Sequence, residues 1–230
     1  MSVPGVVRHN RIELAVHELR PAPAAGGGGG AGGGRPLLLL HGLGERTPAS
    51  VPDDLVWPGP VLGLDFTGHG ASTVPIGGGY SAEILVGDVD AVLAEVGAVT
   101  LLARGLGSYI ALLVAAARPD LVRGAVLGDG PGLVGGGVHP GSPTVPYASV
   151  APTGPPDPFA MAELSRDPRP PDYAQTYVRF VVERSDLERP VIVAAVVRPE
   201  WLHAVATEPG VSQDTVEAAL DYFSRHAESV

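Results

Sequence analysis

Hydrophobic positions in this chain come in short blocks separated by polar and glycine-rich turns. Residues 6–19 alternate, with Val6, Val7, Ile12, Leu14 and Val16 as the apolar points. That period of two predicts two strands joined by a turn near His9-Asn10. Leu37–Leu40, Val61–Leu64, Val99–Leu102, Ala125–Leu127 and Val191–Val197 are apolar runs without alternation, which reads as strands buried on both faces. Residues 81–96 carry Leu85, Val89, Val92, Leu93 and Val96 on one helical face, with Ser81 placed to cap the start and Gly97 the end. A second helix opens after Arg104-Gly105-Leu106-Gly107, runs through Ile110, Leu113, Val114 and Ala117, and stops before Pro119. Further helices are expected near 158–165, 171–184, 201–206 and from Val216 through Leu220 and Phe223. Strands alternating with amphipathic helices predict an α/β fold with a mostly parallel sheet flanked by helices.

Length and composition narrow this picture. At 230 residues the chain is expected to form a single domain over 1–230. A hydrophobic fraction of 45% supports a packed core despite 32 Gly and 24 Pro. Much of the glycine lies in 26–34, a run with nothing to bury that reads as a flexible loop. No Lys-Ser or Lys-Thr follows it, so it is not a phosphate cradle. Residues 131–158 are rich in Gly, Pro and Ser, and the span of about 134–185 is expected to form a reduced, lid-like insertion.

The 15 basic residues are all Arg and are outnumbered by 25 acidic ones, for a formal charge of −10. With no basic run, neither a nucleic acid nor an anionic membrane is an expected partner. The absence of cysteine excludes disulfides and thiolate chemistry. Met1–Gly5 lacks the charge and apolar run of a secretion signal, and no apolar stretch reaches membrane-span length, so a cytoplasmic location is expected. Arg-only usage with abundant Gly, Ala, Pro and Val fits a GC-rich bacterial genome.

Three motifs in order resemble the α/β-hydrolase superfamily, particularly its esterase, epoxide hydrolase and dehalogenase branch. Leu37–Gly44 resembles the strand and His-Gly turn that supply part of an oxyanion hole. Asp65–Ser72 resembles the Asp-x-x-Gly-x-Gly-x-Ser turn after the next strand. Leu101–Ala111 with Arg118–Leu127 resembles the nucleophile strand, its helix and the following strand. The resemblance implies an α/β-hydrolase fold without a cofactor.

The catalytic positions depart from that pattern. The elbow Gly-x-Ser-x-Gly aligns with Ala103-Arg104-Gly105-Leu106-Gly107, so the nucleophile position is Gly105, which has no oxygen to attack with. Ser108 lies a turn into the helix and Ser72 on a structural turn. No His follows the last strand in Pro209–Thr215; His203 and His226 fall on helices, and His9 and His17 read as surface residues. Asp129 matches the acid position and Glu200 matches a second one loosely, but without a His to orient, Asp129 has no triad role. The backbone N–H groups of Leu43 and Leu106 match the oxyanion donors. With His41, Gly42 and Arg104 they form the candidate binding set. No metal-ligand motif is present; Asp88 and Asp90, two apart on a helix, point in different directions.

The expected function is therefore a catalytically degenerate hydrolase-fold protein that binds a small molecule in the remnant pocket. Two alternatives stand beside it. One is hydrolysis of an ester-like substrate by water activated by His41, His69 or Asp129, although Asp65 and His69 belong to a turn that is structural in the family the chain resembles; the other is a protein-interaction scaffold.

Overall fold

The computed structural model describes residues 5–22, 34–133, 154–165 and 169–226. Its described strands form one eight-stranded sheet in the order β1-β2-β4-β3-β5-β6-β7-β8. β1 (Val6–His9) and β2 (Ile12–Arg20) make the expected hairpin, turning at Asn10 with φ of 56°. Asn tolerates that left-handed conformation better than most residues. β2 then pairs antiparallel with β4 (Val61–Leu64), and every remaining pairing is parallel.

The parallel core is β3 (Leu37–Leu40), β4, β5 (Val99–Arg104), β6 (Val122–Gly128) and β7 (Val191–Ala194). Alternate side chains of these unbroken apolar runs serve two different cores. Leu38, Leu40, Leu101, Ala103 and Leu127 pack under α1 (Ala82–Val96), α2 (Leu106–Ala117), α4 (Pro171–Arg184) and α5 (Glu200–Ala206). Leu37, Leu39, Val126 and Ile192 face Trp57 and the Leu220 and Phe223 side chains of α6 (Val216–Arg225). Both faces are covered, which is why the strands show no period-two polarity. Gly124 lies in β6 at φ of 126°, and a β-carbon there would sit 2.4 Å from the Phe223 ring. The close seating of α6 therefore requires glycine at that point.

The caps of α1 form as expected: Ser81 accepts from the Ile84 N–H, and Gly97, at φ of 78°, donates to Leu93 O. Three elements differ from the sequence reading. β7 ends at Ala194 rather than Val197, because the Val196 and Val197 N–H groups turn to the Asp129 carboxylate and their side chains face solvent. β8 (Val211–Gln213) was not expected: it is a three-residue edge strand without an apolar run. Of the lid-like span, 134–153 and 166–168 lie outside the described residues; α3 (Pro158–Glu163) is short, and α4 packs on α2 and α5 in the helical layer. The loop 26–34 lies outside the described residues except for Gly34.

One crossover has a feature that positions the site. Residues 41–60, between β3 and β4, contain no helix. The irregular loop is pinned by Trp57, which is buried and donates its Nε1–H to Arg35 O at 2.8 Å.

Candidate functional site

The elbow forms where the sequence placed it. β5 ends at Arg104, Gly105 turns the chain at φ of 53° and ψ of −121°, and α2 begins at Leu106. The Leu43 and Leu106 N–H groups also converge, as two oxyanion donors should. They converge on the chain's own backbone: both donate to the Pro131 carbonyl oxygen, each at 2.9 Å. Gly130-Pro131-Gly132 lies flat against the elbow. A β-carbon on Gly105 would stand 2.2 Å from Pro131 O, and one on Gly42 would stand 2.7 Å from the Pro131 ring. The expected remnant pocket at Gly42, Leu43 and Leu106 is thus filled by a carbonyl, the same kind of acceptor that a substrate would present. Sequence reasoning missed Pro131. Its only signal was a Pro flanked by two Gly immediately after the β6 strand.

His41, Asp65 and Asp129 are engaged elsewhere, and His69 is engaged through one ring nitrogen only. His41 is buried; its Nε2 accepts from the Phe66 N–H at 3.1 Å, so its Nδ1 carries the proton and donates to Gly42 O at 2.7 Å. Burial lowers its pKa to about 4, so the ring is neutral. His69 is also fully buried, with Nδ1 against Thr67 O at 3.1 Å, and burial lowers its pKa too. Its Nε2 has no hydrogen-bond partner among the described residues. Burial pushes the Asp65 carboxyl up, but the Ala71 and Thr47 N–H groups and His17 outweigh it and hold the pKa below the usual range. Asp129 accepts from the Val197 N–H at 3.1 Å and the Val196 N–H at 3.3 Å, and these bonds hold its pKa down. It braces the chain after β7.

Ser108, Ser72 and His226 are hydrogen-bonded to backbone. Ser108 Oγ donates to Gly128 O at 2.8 Å, and Ser72 Oγ bridges the Ala15 N–H and Asp65 O. His203 and Glu200 are exposed on α5, and His226 closes α6 with Nδ1 on Tyr222 O at 2.7 Å. His139 lies outside the described residues. His9 and His17 are partly exposed, and each also pairs at 2.9 Å with a buried carboxylate, Asp88 and Asp65 respectively. Each pins the hairpin to the main body. Asp88 also accepts from the Thr67 N–H and hydroxyl, while Asp90 pairs with Arg118, so the two do point apart. Among the described residues no three His, Asp or Glu side chains are grouped to hold a metal ion.

Arg104 and His41 border a different space. Arg104 lies 3.1 Å from Glu45, whose carboxylate also accepts from the Gly42 N–H, tying the elbow to the turn after β3. Beside this pair opens a cleft of about 770 Å³ on the Trp57 side of the sheet. Its apolar lining comes from Leu39, Leu55, Leu102, Ala194, Val216 and Leu220. It occupies the sheet face beside the crossover that lacks a helix.

No family model and no curated protein sequence matches this chain. Solved structures do. A membrane phospholipase A, described as a novel bacterial virulence factor, superposes with a TM-score of 0.53 at 16% identity, over 98% of this chain and 86% of that one. An alpha/beta hydrolase enzyme from a Medee basin deep-sea metagenome library is similar at 16% identity and a TM-score of 0.45, over 54% of this chain and 43% of that one. An epoxide hydrolase from Vigna radiata is similar at 22% identity and a TM-score of 0.41, over 55% and 39%. The chain thus spans about two fifths of the length of those two enzymes. Identities this low speak to architecture alone: the mixed and mostly parallel sheet with helices on both faces, the α/β-hydrolase fold that the sequence motifs implied, superposes on the phospholipase over nearly the whole chain.

Proposed function

We propose that this chain is a non-hydrolytic α/β-hydrolase-fold protein that binds a small molecule beside its degenerate elbow. The observation that carries the reading is the pairing of Leu43 and Leu106 with Pro131 O, next to a Gly105 that has no nucleophile. Transition-state stabilisation needs free, preorganised donors. Here both donors are committed to a backbone carbonyl. A water-activating base has little support: His41 has both ring nitrogens engaged, Asp129 is held by two amides, and His69, whose Nε2 has no partner among the described residues, is fully buried and does not line the cleft.

The ligand site in this reading is the cleft bordered by His41 and Arg104 rather than the hole itself. Its volume of about 770 Å³ falls within the range, roughly 300–1,000 Å³, of small-molecule pockets. The test is hydrolysis of short- and medium-chain p-nitrophenyl esters by stringently purified protein, paired with native mass spectrometry for a retained ligand. The expected result is no saturable turnover. Saturable turnover that tracks the protein through every purification step overturns the proposal.

A further inference from the structure

His69 is fully buried, and Nδ1 lies 3.1 Å from Thr67 O. A carbonyl only accepts, so Nδ1 carries the proton and Nε2 is a bare lone pair. That nitrogen has no hydrogen-bond partner among the described residues. A neutral ring tolerates this. A second proton would put a charged N–H donor into a buried position with no acceptor waiting.

The groups around the ring decide where such a donor turns. On the same turn, Asp65 is already held by the Ala71 and Thr47 N–H groups and by His17. From the turn after β3, the His41 ring stands 5.1 Å away, centroid to centroid, with both nitrogens engaged. From the start of α3, Asp157 acts on His69 through its charge, and its N–H donates to Gly68 O, beside His69. Tyr80 donates to Asp157 at 2.6 Å, and the charges of Glu163 from α3 and Asp88 from α1 bear on that tyrosine.

α3 itself is a six-residue helix tied at both ends. Asp157 caps it by accepting from the Phe159 N–H at 3.1 Å, and Glu163 accepts from the Gly79 and Tyr80 N–H groups. Between them Met161 covers Gly44, where a β-carbon would stand 3.0 Å from its Sδ.

We infer that His69 is an acid-sensitive latch: a proton on its Nε2 releases α3 from the turns beneath it while the sheet stays folded. The charged ring either draws Asp157 away from the Phe159 N–H and Tyr80, or leaves for water past α3. Both events loosen the same helix and uncover the Gly44 turn. Burial holds the His69 pKa below 6.5 while α3 is closed. A ring released to water returns to about 6.5. The open form thus binds more protons, and opening gains up to about tenfold per pH unit below that value.

The test is hydrogen exchange by NMR on the full chain between pH 7 and pH 5, read as protection factors so that the intrinsic pH dependence cancels. Gly79, Tyr80 and Asp157 report on α3, since their N–H groups hold it. Ala125, whose N–H donates to Pro190 O, reports on the sheet. Protection is expected to fall about fivefold or more at the first three and to hold at Ala125. In His69→Asn, whose amide offers Thr67 O a donor without titrating, all four are expected to stay protected. If that variant fails to fold, wild type decides: the His69 Cε1–H shift is expected to titrate with the same midpoint as the loss of protection. No loss at the α3 reporters, a loss shared by Ala125, an equal loss in His69→Asn, or two different midpoints overturns the latch.

Discussion

A β-carbon built on Gly105 would stand 2.2 Å from the carbonyl oxygen of Pro131. That single contact joins the glycine elbow to the carbonyl that the Leu43 and Leu106 amides share. The loop after β6 can lie on the elbow only because the elbow residue has no side chain. On the proposed non-hydrolytic reading, placing an oxygen at position 105 therefore does not create a catalyst. Gly105→Ser is expected to lose about 2 kcal/mol through the left-handed backbone and the displaced Pro131 loop, a fall of roughly 4–8 °C in Tm for a chain of this size. It is also expected to show no saturable p-nitrophenyl ester turnover. Calorimetry and the ester assay check both, and a variant as stable as wild type contradicts the contact.

The shared acceptor makes a second, sharper statement. Leu43 and Leu106 lie on different elements, yet their amides close on one oxygen. Both are expected to be protected from hydrogen exchange and to lose protection together. Gly132→Val provides the perturbation: Gly132 has φ of 102°, and a β-carbon there would meet Leu43 Cβ at 2.7 Å. The expected effect is at least about tenfold faster exchange at both amides, with Leu38 in β3 unchanged. Loss of protection at only one amide would show that the two do not share Pro131.

The sheet was legible in the sequence because burial leaves a direct trace there. Leu37–Leu40 and Val61–Leu64 could hardly be anything but strands enclosed on both sides, and Ser81 with Gly97 marked both ends of α1. β8 left no trace, since Val211-Ser212-Gln213 is short, partly exposed and held only by β7 on one side. The site was half legible. Gly105 could be read as the strand-to-helix turn, but the acceptor shared by the Leu43 and Leu106 amides could not, because it depends on which carbonyl a Gly-Pro-Gly turn carries to two distant amides. The pairing of the partly exposed His9 and His17 was illegible for a similar reason. Their partners Asp88 and Asp65 lie 79 and 48 positions away.

The buried imidazoles set a pH dependence. His41 is neutral in the folded protein, with its pKa lowered from 6.5 to about 4, while the unfolded chain takes up a proton below 6.5. The unfolded state thus binds more protons between those values, so the His41 contribution is complete above pH 6.5 and is lost as pH falls toward 4. Its size is about 3 kcal/mol at most. His69 acts with the same sign. Asp88, whose pKa burial raises, acts oppositely by losing stability as pH rises from 3.8. The His41 contribution is therefore isolated by a variant. Asn at position 41 offers a donor for Gly42 O and an acceptor for the Phe66 N–H without a titrating ring. Urea midpoints between pH 7 and 5 are expected to fall less steeply in His41→Asn than in wild type. Parallel slopes would show that His41 titrates normally.

Asp129 separates a triad acid from a structural one. In a triad the carboxylate orients an imidazole. Here one oxygen accepts from the Val196 and Val197 N–H groups, whose side chains are 92% and 73% exposed. That bond pair ends β7 and turns the chain toward α5. Asp129→Ala leaves both amides to water and is expected to lose about 1 kcal/mol, a small value because the site is wet. Asp129→Asn keeps an acceptor oxygen and is expected to lose less. The order of urea midpoints, wild type above Asn above Ala, checks the bracing role. Equal midpoints for all three would mean that the carboxylate holds nothing in place, and its position facing the cleft would then be its main consequence.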